Sequence, residues 1–251
     1  MTLSVVTGVG SKGQVGEAVA GLLARRGDRV VIVSRNPAEV ADRVAELRSA
    51  GGDVFGYACD LANEVAVRAL VDEVSGAHGN RVDNVVNLAG GFASSGDIAA
   101  SESTLVSRMW AINFTTAYLT TRACLPLMQR GGSIVYFASE VVLPNTRSSG
   151  VVAYAAAKSA VAALMRSVAD EGRSRGIRAN ALAPGSIRTA SNASSMGNDA
   201  SYVEREEVAD AVAFLCSSSS EAVSGQVIRL SSAKRVSHRK STGYANPDDF
   251  R

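Results

Sequence analysis

Near the start of the chain, between an apolar run and an amphipathic one, lies Thr7-Gly8-Val9-Gly10-Ser11-Lys12-Gly13-Gln14-Val15-Gly16. Glycine permits a tight turn and close approach of backbone to a ligand. A helix opening at the loop's end adds free N–H groups and the positive end of its dipole. The chemistry such a loop offers is a cradle for a pyrophosphate, and its position between a first strand and a first helix strengthens that reading. The next apolar run ends in Ser34-Arg35, with no carboxylate. In dinucleotide sites an acidic residue there takes a ribose 2′-hydroxyl, and a basic one favours a 2′-phosphate. Arg35, with Lys12 as a second cation, therefore predicts NADPH/NADP+ in preference to NADH/NAD+.

The elements that must position this loop read as an alternation. Apolar, β-rich runs fall at 3–7, 29–34, 54–59, 82–88, 133–139, 178–183 and 226–230. Between them, helical spacing of apolar residues covers 16–25, 63–75, 103–130, 153–175 and 206–217. Another helix opens on Asn36-Pro37-Ala38-Glu39, with Asn as N-cap, Pro at the first position and Glu placed to close a capping box. Strands apolar on both faces suit a parallel sheet covered on both sides. The fold predicted is α/β: a Rossmann-like doubly wound parallel seven-stranded sheet with helices on both faces, as a single domain over 1–230, followed by a polar tail over 231–251. Ligands of such sheets bind beyond the carboxyl ends of the strands.

At those ends stand Asp60, Asn87-Leu88-Ala89-Gly90, Ser139, Tyr154-Ala155-Ala156-Ala157-Lys158 and Pro184-Gly185-Ser186-Ile187-Arg188-Thr189, with Asn113 inside the long helical stretch. In this order the set resembles the short-chain dehydrogenase/reductase family, over about residues 2–230. The resemblance implies catalytic roles for Asn113, Ser139, Tyr154 and Lys158. Tyr154 would be the general acid/base at the substrate oxygen, and Lys158 would lower its pKa and hold the nicotinamide ribose. Ser139 would hydrogen-bond the substrate, and Asn113 would hold a water in a proton relay. It further implies cofactor contacts from Gly8, Gly10, Ser11, Lys12, Gly13, Gln14, Val15, Gly16, Ser34, Arg35, Asp60, Leu61, Asn87, Ala89, Gly90, Tyr154, Lys158, Pro184, Gly185, Ile187 and Thr189, and no metal. The physics agrees: a phenol's pKa of about 10 is too high for base work at neutral pH. A lysine four residues on lies one helical turn away and favours the phenolate.

The match is not complete. The glycine loop is longer than the family's usual Thr-Gly-x-x-x-Gly-x-Gly, and Gln14 stands where the second glycine of the pair belongs. Either Gly10 or Gly13 could take the central place. That loop length is similar to the divergent enoyl-reductase branch, but Val151 occupies that branch's tyrosine position, which argues against enoyl reduction. Leu88 replaces a second Asn, and the stretch around 143–150 lengthens the pocket rim. The polar segment between Ile187 and Val203 is expected to be a mobile lid over a small or polar substrate rather than a steroid. Phe92, Trp110, Leu143 and Met196 are candidate pocket walls. The implied reaction is NAD(P)(H)-dependent interconversion of carbonyl and alcohol, with 3-oxoacyl-carrier-protein reduction as one specific form. A non-catalytic NADP(H)-binding sensor or scaffold is the alternative of another class. A homo-oligomer, tetramer or dimer, follows from the resemblance.

Composition fits a globular protein, and the cysteine usage predicts a cytoplasmic one. Of 251 residues, 46% are hydrophobic and 20% charged, with 26 Lys+Arg against 24 Asp+Glu. That excludes disorder and disulfide scaffolds and offers no nucleic-acid or membrane signal. Cys59, Cys124 and Cys216 have no metal spacing and read as small buried hydrophobes. The opening residues lack a secretory signal, and the longest apolar stretches fall short of the ~20 residues a bilayer span needs. The net charge of +2 belongs to the tail. There Lys234, Arg235, Arg239, Lys240 and Arg251 outnumber Asp248 and Asp249. The tail is expected to be solvated, or pinned to a neighbouring subunit by Tyr244 and Phe250.

Overall fold

Alternating valines and isoleucines build the sheet. In Arg29–Ser34, Val31 and Val33 turn to one side and Val30 and Ile32 to the other, all without solvent exposure. The computed structural model describes residues 1–197 and 201–232. The strands are β1 Leu3–Thr7, β2 Arg29–Ser34, β3 Val54–Ala58, β4 Val82–Asn87, β5 Met128–Phe137, β6 Arg178–Pro184 and β7 Val227–Leu230. All pair in parallel, in the order β3-β2-β1-β4-β5-β6-β7. The helices are α1 Val15–Arg25, α2 Pro37–Ser49, α3 Glu64–His78, α4 Ser103–Trp110, α5 Thr116–Cys124, α6 Val152–Glu171, α7 Ala190–Met196 and α8 Arg205–Leu215.

Each sheet face has its own core. Val5, Val31, Val85 and Ile134 pack with Val67 and Leu70 of α3, Leu119 of α5, and Val161 and Met165 of α6. Val6, Ile32, Val86, Val135 and Leu182 pack with Val19 and Leu23 of α1, Val40 of α2, and Val208 and Val212 of α8. The three cysteines are buried, and burial pushes the Cys124 and Cys216 thiols up to about 12. Among the described residues no helix is long and apolar enough to cross a membrane.

Four local readings change. The helix expected over 103–130 is interrupted by a π-helical turn, Ala111–Thr115, and ends at Cys124. After a single 3-10 turn the chain enters β5 at Met128, earlier than the apolar pattern indicates. β3 lies at the sheet edge and is only partly covered, not buried on both faces. The segment after β6 is not an open loop. Residues 190–196 form α7, and Ile187 bridges Val203. Asn198, Asp199 and Ala200 of that segment lie outside the described residues. So does the tail from 233, with Tyr244 and Phe250.

Candidate active site

Strand order reverses direction between β1 and β4, which opens a crevice beyond their carboxyl ends. The loops after these two strands meet there. Thr7 Oγ1 accepts from the N–H groups of Leu88 (3.0 Å) and Ala89 (3.1 Å). Gly8 has φ +76°, and a Cβ there would stand 2.8 Å from Ala89 N. A Cβ on Gly16 would stand 2.5 Å from the Gly8 carbonyl, so only glycine lets α1 begin against the end of β1. Gly13 also has a left-handed backbone, at φ +74°. A Cβ on Gly10 would meet only the side chains of Glu39 and Ser34. Gly13 is therefore the conformationally required glycine in the middle of the lengthened loop.

Carboxylates from neighbouring helices hold that loop. The Gly13 N–H donates to Glu17 Oε2 (2.6 Å), and Glu17 pairs with Arg205 (3.5 Å) and Arg43 (3.7 Å). Buried Arg43 forks onto Glu46 at 2.5 and 2.9 Å, and Glu46 also meets Lys12 (3.5 Å). The segment α7 seats on the same loop. Ala190 N–H donates to the Gly13 carbonyl (3.0 Å), and Ser191 Oγ donates to Gln14 Oε1 (3.2 Å). Buried Thr189 caps α7 by accepting from Asn192 N–H (3.1 Å). Tyr202 pins the segment's far end through Gly197 O (2.6 Å).

Four predicted catalytic residues converge deeper in. Asn113 sits in the π-helical turn and is buried. Its Nδ2 donates to Gly91 O (3.0 Å) and Met109 O (3.1 Å), and its Oδ1 accepts from Gly91 N–H (3.2 Å). Such turns recur at functional sites. Lys158 is buried and donates to Phe137 O (2.8 Å) at the end of β5. Desolvation lowers its pKa to about 8. Its Nζ lies 5.8 Å from the centre of the Tyr154 ring. Burial raises the Tyr154 pKa, and a hydrogen bond with Ser139 partly offsets this. Lys158 is engaged with a main-chain carbonyl here, and burial is the main cause acting on the phenol. A Cβ on Gly90 would stand 2.6 Å from Asn113 Oδ1 and 3.4 Å from Lys158 Nζ, so the absence of a side chain keeps these two groups accessible to each other.

The remaining predicted positions are spread along the crevice. Asn87 is buried; its Nδ2 donates to Thr121 (3.2 Å) and its Oδ1 has no protein partner. Asp60 is exposed and accepts from Ala62 N–H (3.1 Å), while Leu61 is buried. Arg35 is exposed beside half-buried Ser34. Pro184 ends β6, and Gly185 lies against the Glu140 carboxylate, which pairs with Arg229 (3.3 Å). Val15 opens α1 in the core, and Ile187 packs against that core. Of the wall residues, Phe92 meets Tyr154 edge-on at 5.1 Å. Leu143 is partly buried and Met196 is exposed. Trp110 is not a wall: it lies half-exposed against Phe114 at 4.7 Å, in a row continued by Tyr118.

Sequence reasoning passed over Glu17, Glu39 and Glu140. Glu39 had a signal, but one that read as a helix cap.

Three likenesses bear on this geometry. Residues 8–231 match a family model described as enoyl-(acyl carrier protein) reductase. A mouse 3-oxoacyl-[acyl-carrier-protein] reductase is 36% identical over 181 residues, 72% of this chain and 73% of that one. Among solved structures, a short-chain type dehydrogenase/reductase from Mycobacterium ulcerans superposes with TM-score 0.81 at 33% identity, covering 91% of this chain and 88% of that one. A variant of actinorhodin polyketide ketoreductase, solved with NADPH, gives TM-score 0.80 at 26% identity over 92% and 95%.

Proposed function

Because the chain belongs to the short-chain dehydrogenase/reductase family, we propose that Asn113, Ser139, Tyr154 and Lys158 make it an NADP(H)-dependent reductase of a carbonyl to an alcohol, or the reverse. The family acts on the CH–OH/C=O pair. The observation that carries the reading is buried Lys158 one helical turn from Tyr154, its Nζ 5.8 Å from the ring centre, with Ser139 close enough to act on the phenol.

The residues present fit a dinucleotide. The left-handed glycines Gly8 and Gly13 in the loop that opens α1 and the buried, unpartnered Asn87 Oδ1 suit a bound group. Gly8 to Gly16 would hold the pyrophosphate, Ser34 and Arg35 the adenosine ribose and its 2′-phosphate, and Asp60 and Leu61 the adenine side. Asn87, Ala89, Gly90, Pro184, Gly185, Ile187 and Thr189 would flank the nicotinamide half. When bound, that group supplies or accepts a hydride.

The protein's own part is proton chemistry and positioning. Tyr154 Oη, kept protonated by burial, donates to the substrate oxygen in reduction. Ser139 Oγ donates a hydrogen bond to the same oxygen and aligns it with the phenol. Lys158, charged below its pKa of about 8, favours the phenolate left after transfer. Asn113 holds the water through which a proton returns. Phe92 shields the phenol from one side.

The 3-oxoacyl thioester remains the specific alternative, supported by the mouse relative's activity. The position of Val151 keeps the reading on carbonyl rather than enoyl reduction. A sensor or scaffold would not need all four residues. For the homo-oligomer, support comes from the small-residue face of α6 (Ala156, Ser159, Ala160 and Ala163), of which Ala156, Ser159 and Ala163 are exposed, and from the exposed row at Trp110 and Tyr118. A panel of acetoacetyl thioesters and simple ketones with NADPH tests the reading. Turnover in that panel is expected. NADPH binding with no carbonyl reduced would favour the sensor.

A further inference from the structure

The first turn of α2 sends a carboxylate somewhere its sequence position does not foretell. Asn36 caps the helix as expected, accepting from the N–H groups of Ala38 (3.0 Å) and Glu39 (3.4 Å). Glu39 does not return to the Asn36 backbone to close the box. Its carboxylate crosses to the glycine loop, where Oε1 accepts from Ser11 Oγ at 3.0 Å. Oε2 stands 2.6 Å from the point a Cβ on Gly10 would occupy, and Ser34 Oγ stands 2.7 Å from that same point. Glu39 therefore sits among Gly10, Ser11 and Ser34, between the glycine loop and the end of β2. In a dinucleotide fold the adenosine ribose lies there.

Neither charge at this place is neutralised. Among the described residues no lysine or arginine forms an ion pair with Glu39, and Arg35 makes none either. Lys12, the other cation of the loop, is engaged with Glu46. The helix N-terminus favours the anionic side chain. A carboxylate accepts a hydrogen bond from a hydroxyl but repels a phosphate, whereas a guanidinium attracts and binds the phosphate.

We propose that Glu39 is a specificity-determining residue that opposes Arg35, accepting a ribose 2′-hydroxyl and disfavouring a 2′-phosphate, so that the site takes NAD(H) alongside NADP(H). The proposal rests on the dinucleotide reading above and adds to it a residue outside the end of β2, where the resemblance looks for the deciding side chain.

The test is direct binding with the full chain, by titrating NADPH, NADH, adenosine 2′,5′-bisphosphate and AMP into the wild type, Glu39→Gln and Arg35→Ala. Glu39→Gln should tighten NADPH and the bisphosphate by about tenfold relative to NADH and AMP, the scale of removing one adjacent like charge. Arg35→Ala should shift the ratio the other way. If Arg35→Ala moves the ratio and Glu39→Gln does not, the cofactor reading stands and the role of Glu39 is overturned. If neither dinucleotide binds the wild type, both are overturned.

Discussion

Asn113 and Lys158 are held by main-chain carbonyls inside the core, whereas Ser11, Lys12 and Gly13 are held by carboxylates reaching in from α1 and α2. The two ends of one crevice thus differ in what fixes them. The catalytic end is dry: burial raises the Tyr154 pKa and lowers that of Lys158, and both shifts follow from desolvation before any neighbour acts. The nucleotide end is ionic, with Lys12, Glu46, Arg43, Glu17 and Arg205 in one chain of pairs. A buried lysine without a carboxylate costs stability and serves chemistry. A buried arginine forked onto a carboxylate serves the loop's shape.

The comparison predicts opposite consequences for two buried cations. Lys158→Met should lower kcat/KM for carbonyl reduction by about 10³-fold, within the range of losing proton-transfer assistance, without the loss of Tm expected at the other end. The wild-type profile carries the sign. Lys158 is charged below about pH 8, so kcat/KM for reduction should fall as pH rises through that value. Lys158→Arg keeps the charge and should remove the fall. A wild-type profile flat across pH 8 would break the assignment.

Arg43→Met acts at the ionic end, and its effect is smaller. It leaves Glu17 and Glu46 without their shared guanidinium, at about 1–2 kcal/mol, less than for a fully buried pair because both carboxylates are part-exposed. For a chain of this size that is a fall in Tm of about 3–6 °C. At saturating cofactor, kcat should stay unchanged. A loss of kcat with Tm intact would mean that the loop network reaches into the chemistry.

The alternation of strand and helix is legible because buried parallel strands are apolar on both faces, and the five inner strands obey that pattern while the edge strands β3 and β7 do not. The entry into β5 is not, because Leu125, Leu127 and Met128 continue an apolar helical spacing past Pro126, and the register with β4 shifts between Val82 and Asn84. The π-helical turn at Asn113 has no signal in the apolar spacing, which runs through it unbroken. The four proposed catalytic positions are picked out by order and spacing, and the structure brings them to one end of the sheet. Their electrostatics are not readable that way, because burial depends on what packs over Tyr154. Glu39 shows the same limit: its spacing from Asn36 satisfies a cap, yet tertiary proximity gives its carboxylate to Ser11. Trp110 shows it too, as helical phase decides which wall a large ring joins.

The central claim is that Tyr154 carries the proton while the dinucleotide binds independently of it. Tyr154→Phe removes one oxygen and keeps the ring against Phe92. The decisive measurement is NADPH affinity and single-turnover reduction in the same Tyr154→Phe preparation, on a ketone the wild type reduces. The account predicts an NADPH Kd within about threefold of wild type and a reduction rate lower by about 10³-fold or more. Retained reduction with unchanged binding would contradict it.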